Sequence, residues 1–247
     1  MKKIIYDLGA NEGKCIPYYL LKSDLVIAVE ANPQLCELLK KLYHKDILDN
    51  KLVVENSVVT HDQSTYKNFY VSRFGSYFST CFPERKKLYF RGREVTMLDY
   101  EEKNIKSINI LELFEKYGKP YYVKIDLEHY DDIILNEILN NYKDKPQYLS
   151  SECQDIKVFS LMMNSEEYNL FKYIKGSSVS KKYNRTKIKD INDLEKEYSF
   201  AVHSAGPFGN DIEGPWFNKE EFKIFFSHLV AQKIAPGWLD IHCSLME

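Results

Sequence analysis

Three observations predict an α/β fold built on a mainly parallel sheet. Short apolar runs (Ile4-Ile5-Tyr6, Leu25–Val29, Leu52-Val53-Val54, Tyr121–Ile125 and Gln147–Ser151) are spaced by segments with helical patterning. The first run leads straight into the turn Asp7-Leu8-Gly9-Ala10-Asn11-Glu12-Gly13, and the second ends on the acidic Glu30. Strands that alternate with helices imply right-handed crossovers, hence parallel neighbours.

Each element has a local reason. Asn32 caps a helix with Pro33 in its first turn, where a missing N–H costs nothing. Leu35, Leu38, Leu39 and Leu42 then repeat at helical spacing and predict its buried stripe. After the fourth run a helix carries Ile133, Ile134 and Ile138, and Pro146 separates it from the fifth run, which ends at Glu152. Asn218 and Glu221 form a capping-box pattern for a last helix, with Phe222, Phe225, Phe226 and Leu229 as its apolar face.

Two regions exceed the minimal alternation. The stretch from about Thr60 to Asn104 sets Phe69, Tyr70, Phe74, Tyr77, Phe78 and Phe82 among Arg73, Arg85, Lys86, Lys87, Arg91 and Arg93. Beyond Cys153 comes a basic segment (Lys181, Lys182, Arg185, Lys187, Lys189), then a Gly/Pro-rich loop at 201–209. Loops at the carboxyl ends of parallel strands surround the ligand crevice, so both regions are expected to form a substrate lid.

Length and composition bound the rest. The 247 residues suit a single domain. Its core is expected over 1–155, with an insertion at about 60–105 and C-terminal strands, a basic loop and a closing helix over 156–247. A net charge of −2 gives no reason to expect nucleic acid as a partner. Five scattered cysteines without C-x-x-C spacing read as reduced thiols with no zinc site. The first strand starts within three residues of Met1, and no apolar stretch approaches the ~20 residues of a membrane helix. A cytoplasmic location with no membrane span is the expectation.

The glycine turn with Glu30 indicates a nucleoside-containing cofactor. Glycines let backbone approach a ligand closely, and an acid at the tip of the second strand accepts hydrogen bonds from ribose hydroxyls. The dinucleotide pattern G-x-G-x-x-G is absent: Asn11 stands at the middle glycine position and Lys14 in place of a third. A ligand without phosphate and with a carboxylate-ammonium tail suits Asp7 and Asn11 better, and S-adenosylmethionine is one. Asn56 and Ser57, at the end of the third run, are candidates for the adenine edge or simple loop caps.

Four motifs in collinear order, Asp7–Gly13, Val29-Glu30-Ala31-Asn32-Pro33, Glu55-Asn56-Ser57-Val58-Val59 and Lys124-Ile125-Asp126-Leu127-Glu128, resemble the FkbM family of class I S-adenosylmethionine-dependent O-methyltransferases over about the first 155 residues. The resemblance implies a Rossmann-like class I methyltransferase sheet: mainly parallel, about seven strands, one antiparallel, flanked by helices. It implies cofactor contacts from Asp7, Gly9, Ala10, Asn11, Gly13, Glu30, Ala31, Asn32, Asn56, Ser57 and Asp126. It also implies S-adenosylhomocysteine as product, and a hydroxyl acceptor in surface polysaccharide (capsule or lipopolysaccharide) or secondary-metabolite biosynthesis. Where the family reads Lys-Ile-Asp-Val-Glu-Gly-Ala, this chain has His129 and Tyr130 after Glu128.

Methyl transfer to oxygen needs in-line attack and a base for the proton. Asp126 can orient the acceptor or balance the sulfonium, or else cap the helix starting near Tyr130. Glu128 and His129 share its loop. Histidine suits the base because its pKa is ~6.5. Of His44, His61, His129, His203, His228 and His242, the candidates are His129, beside the chemistry, and His203, in the Gly/Pro-rich loop. The basic, aromatic stretch from Phe69 to Arg93 reads as a solvated elaboration or as a pocket for an anionic acceptor such as a nucleotide-activated or phosphorylated sugar. Asp126, Glu128 and Glu152 can converge on a divalent metal such as magnesium, though no spacing demands one. Two rivals remain: a nicotinamide-dependent oxidoreductase, and a non-catalytic cofactor-binding subunit. A base-methylating enzyme is disfavoured because Asp126-Leu127-Glu128-His129 stands where an Asn/Asp-Pro-Pro-Tyr/Phe loop belongs.

Overall fold

The computed structural model describes residues 2–84 and 89–245, so Arg85, Lys86 and Lys87 lie outside the described residues. The first half runs β1 (Ile4–Leu8), α1 (Ile16–Lys22), β2 (Leu25–Glu30), α2 (Pro33–Leu42), α3 (His44–Leu48) and β3 (Leu52–Asn56). The insertion contributes β4 (Val58–Thr60), β5 (Tyr66–Ser72), the short pair β6 (Tyr89–Phe90) and β7 (Arg93–Glu94), and β8 (Tyr100–Asn109). Then follow α4 (Ile110–Tyr117), β9 (Tyr122–Ile125), α5 (Asp131–Asn141) and β10 (Tyr148–Glu152). The tail holds α6 (Ile156–Asn164), β11 (Tyr168–Lys175), α7 (Val179–Lys182), β12 (Thr186–Lys189), β13 (Glu195–Tyr198), β14 (Phe217–Asn218), α8 (Lys219–Ala231) and β15 (Leu239–Leu245).

The central sheet has eight strands in the order β14-β11-β15-β10-β9-β1-β2-β3. β1, β2, β3, β9 and β10 pair parallel. β15 enters between β10 and β11 and runs antiparallel to both. This matches the mainly parallel sheet with one antiparallel strand that the family resemblance implies. The two-residue β14 adds an eighth strand, antiparallel to β11 at the edge. The expected closing helix α8 does not end the fold, because β15 follows it. Leu239, Ile241 and Cys243 alternate with Asp240, His242 and Ser244, and all six are buried between two strands. The polar half of that alternation hides a central strand.

Helix faces follow from what each must cover. On α2 the buried side chains are Cys36 and Leu39, whereas Leu38 and Leu42 are 40% and 60% exposed. The expected leucine stripe is therefore rotated. Cys36 Sγ donates to the Glu30 carbonyl and Tyr43 Oη to the Gly13 carbonyl, which turns that side of the helix onto the sheet end. The capping box of α8 forms as expected, with Asn218 accepting from the Glu221 amide. Phe222 and Phe226 are buried beneath it, and Phe226 stacks on Phe159 at 4.0 Å. Burying each such ring contributes roughly 1.5–3 kcal/mol.

The insertion folds as a three-stranded sheet, β4-β8-β5, which carries the turn Ser76–Phe78 toward the sheet's carboxyl edge. The basic tail segment forms the hairpin β12–β13, where Arg185 and Lys187 pair with Glu197 and Glu195. These exposed pairs mark a solvated face. Among the described residues no helix is long and apolar enough to cross a membrane.

Candidate functional site

A cavity of about 500 Å³ opens at the carboxyl ends of β1, β2, β9 and β10, within the range of small-molecule sites. Its floor is the turn after β1. Gly9 has φ +81°, and a Cβ there would lie 1.9 Å from the Asp126 carbonyl oxygen. The turns after β1 and β9 thus meet backbone to backbone. Asn11, at the middle glycine position, adopts φ +48°, a left-handed conformation that asparagine tolerates.

Glu30 is held rather than free. Its two carboxylate oxygens accept the backbone N–H groups of Asn11 and Asn32, each at 2.7 Å. It is 7% exposed and lines the cavity. Burial raises its pKa and the two amides oppose that rise. A carboxylate has about four lone-pair sites, so acceptor capacity remains for a ligand.

Ala10, Asn11, Ala31, Ser57, Asp126, Glu128 and His203, all among the expected site residues, also line the cavity. Five expected residues do not. Asp7 is fully buried behind Lys124, which sits 3.2 Å from both Asp7 and Asp126 and donates to the Gly9 carbonyl. Gly13, at φ +74°, packs under Leu39. Asn32 caps α2 through Gln34, and Asn56 donates to the Glu30 and Ala31 carbonyls; both shape the loop from behind. His129 lines a neighbouring groove with Asp131, Asp132, Glu152 and Gln154.

Lys124, Glu152 and Gln154 complete the polar wall. Burial alone would lower the Lys124 pKa, but Asp126 and Asp7 outweigh it and keep the ammonium protonated. Burial, then repulsion from Asp126, pushes Glu128 up to about 8, and the same two causes lift Glu152 well above the usual carboxylate range. Asp126, Glu128 and Glu152 offer oxygens within 4.8 Å of one another. The amide of Gln154 donates to both glutamates. Asp126 is not the cap of α5, whose N-cap is Tyr130; instead Asp131 reaches back to the Leu127 amide.

The roof comes from the two elaborations. Phe69, Tyr77, Phe78 and Cys81 descend from the insertion, and His203, Ala205 and Trp238 from the tail. His203 is stacked between Tyr77 (6.1 Å, 7° between planes) and Trp238 (5.5 Å, 14°). The described arginines of the insertion stay off the wall: Arg93 pairs with Asp99 at 2.6 Å, and neither Arg73 nor Arg91 lines the cavity. Lys124 was missed as a site residue, although a charge between Val123 and Ile125 in a buried strand signals a partner. Gln154 and Trp238 carried no such signal.

No protein-family model and no curated protein matches the chain. Among solved structures it is similar to the methyltransferase FkbM from Methylobacillus flagellatus KT, at 13% identity and TM-score 0.42 over 68% of this chain and 39% of that one. It is also similar to a precorrin-6y C5,15-methyltransferase from Geobacter metallireducens GS-15, at 9% identity and TM-score 0.40 over 99% of this chain and 80% of that one. The chain thus spans well under half of the first of these proteins.

Proposed function

We propose that the chain is an S-adenosylmethionine-dependent O-methyltransferase that acts on a hydroxyl of a saccharide or of its activated precursor. One observation carries the choice of cofactor: Glu30 is fixed at the tip of β2 by two backbone amides, beneath a turn that lacks the third glycine of a pyrophosphate site. The sheet order agrees. A dinucleotide fold continues parallel past its fifth strand, whereas here the antiparallel β15 intervenes before β11.

The residues present fit this cofactor. Glu30 has acceptor capacity for ribose, and Ala31, Val58 and Phe69 belong to one apolar cluster that gives an adenine ring a slot beside Ser57. Asn11 Oδ1 is buried without a hydrogen-bond partner and offers an acceptor to an ammonium group. When bound, S-adenosylmethionine supplies an electrophilic methyl group; the acceptor oxygen gains that carbon, the sulfur–carbon bond breaks and the hydroxyl proton leaves. Asp126, Glu128 and Glu152 line the cavity wall and are the candidates to take that proton. His129 stands outside the cavity, and His203 lies within an aromatic stack.

The acceptor class follows from the roof and the acidic wall. Tyr77 and Trp238, stacked on His203, leave exposed aromatic surface at the roof for a sugar ring, and the carboxylates suit hydroxyl donors. The test is formation of S-adenosylhomocysteine with free sugars, sugar phosphates and sugar nucleotides as acceptors. Turnover with any of them supports the reading. Failure with all three, together with oxidation of NADH, would favour the nicotinamide rival.

A further inference from the structure

Lys124 stands where the ends of β1 and β9 meet the cavity. It is the register partner of Asp7, is 6% exposed and lines the cavity wall. Its ammonium donates to the Gly9 carbonyl at 3.0 Å and lies 3.2 Å from both Asp7 Oδ1 and Asp126 Oδ2. An ammonium has three donors, and here three oxygens surround it.

Asp7 is the member of this group that needs explaining. It is fully buried, and neither of its carboxylate oxygens has a hydrogen-bond partner. Among the described residues, Lys124 is the cation paired with it. Burying a carboxylate on those terms costs stability, and a neutral side chain would fill the same space without that cost.

The charges lie in layers. The Asp126 side chain is partly exposed and lines the cavity, the Lys124 ammonium sits behind it, and Asp7 lies behind Lys124. A buried ammonium alone in that place would cancel the Asp126 charge toward any cationic ligand. Asp7 offsets the ammonium from the rear, so the charge of Asp126 stays directed at the cavity. Lys14, the other lysine lining the cavity among the described residues, pairs with Glu12 at 3.3 Å in a nearly half-exposed position, where solvent screens it.

The consequence for a ligand rests on the adenosyl reading above. In that cofactor the sulfur joins the ribose, assigned to Glu30, to the amino-acid group, assigned to Asn11. Gly9 lies on the turn that ends at Asn11, and its backbone abuts that of Asp126.

We propose that Asp7 is a positioning residue that acts through Lys124: it neutralises the buried ammonium and so leaves the Asp126 charge facing a cationic ligand. The site then distinguishes the sulfonium of S-adenosylmethionine from the neutral thioether of S-adenosylhomocysteine, which favours exchange of product for fresh cofactor.

The test is calorimetric titration of the whole chain with both ligands. They differ only in the methyl group and its charge, so the ratio of their affinities reads the electrostatics at sulfur. In Asp7→Asn the preference for S-adenosylmethionine should fall by at least about fivefold, with S-adenosylhomocysteine binding kept within about twofold. Asp7→Ser, a smaller second variant, should do the same. The double variant Asp7→Asn/Lys124→Met removes both charges and should return the ratio to within about twofold of wild type. A merely structural role for Asp7 would weaken both ligands alike and leave the ratio unmoved. Circular dichroism checks that each variant is folded. A ratio unmoved in folded Asp7 variants, or a double variant as low as the single, overturns the inference and leaves the methyltransferase reading standing. A wild-type chain that binds neither ligand sinks that reading and this inference with it.

Discussion

The backbone N–H of Asn11 donates to Glu30 across 2.7 Å, tying the turn after β1 to the tip of β2. The same carboxylate that would grip ribose therefore also holds the loop that forms the cavity floor. Glu30→Ala removes both functions. It leaves the Asn11 and Asn32 amides without their acceptor, at about 1–3 kcal/mol each. The melting temperature should fall measurably, and adenosyl binding should weaken by about 100-fold. Glu30→Gln keeps one good acceptor oxygen and should lose less of both, which paired thermal melts and titrations will read.

Gly9 tests the contact between the first and ninth strands' turns. A methyl group at φ +81° meets the Asp126 carbonyl at 1.9 Å, so Gly9→Ala must move one of the two turns. The expected loss is at least about 2 kcal/mol of stability, visible in urea denaturation.

His129 occupies a left-handed conformation, φ +77°, at the position where the resembling family has glycine. His129→Gly removes a side chain that lines the neighbouring groove and relieves that backbone. Turnover should stay within about threefold of wild type. A loss of 100-fold or more with cofactor binding intact would restore His129 as the base.

His242 gives the fold a pH signature. Burial, aided by Lys172, lowers its pKa from 6.5 to about 3, and its Nε2 has no hydrogen-bond partner. The unfolded chain binds the proton first as pH falls, so this stabilising contribution is complete above pH 6.5 and is lost progressively toward pH 3. In that window the group alone gives a slope of about 1.4 kcal/mol per pH unit. Buried carboxyls with raised pKa act in the opposite sense. The difference between wild type and His242→Asn isolates the imidazole, and it should narrow as pH drops from 6.5.

The parallel half of the sheet was legible because its strands are apolar runs that end on chemistry-bearing residues, as β2 does on Glu30. β15 was not, since Asp240, His242 and Ser244 fill one of its buried faces. At the site, Glu30, Asn11 and Asp126 could be read from motif position. Asp7 misled because the same motif does not reveal that Lys124, distant in sequence but its register partner on the neighbouring β9, covers it. Tyr77 and Trp238 meet through His203 only once insertion and tail fold over the same edge, a relation no local spacing encodes.

The most direct test is calorimetric titration of ligand-stripped protein with S-adenosylmethionine and S-adenosylhomocysteine, with NAD(H) as control, for wild type and Glu30→Ala. Micromolar binding of the adenosyl pair by wild type, collapsing in a folded Glu30→Ala, is the predicted result. Binding of NAD(H) instead, or no adenosyl binding at all, would contradict the account.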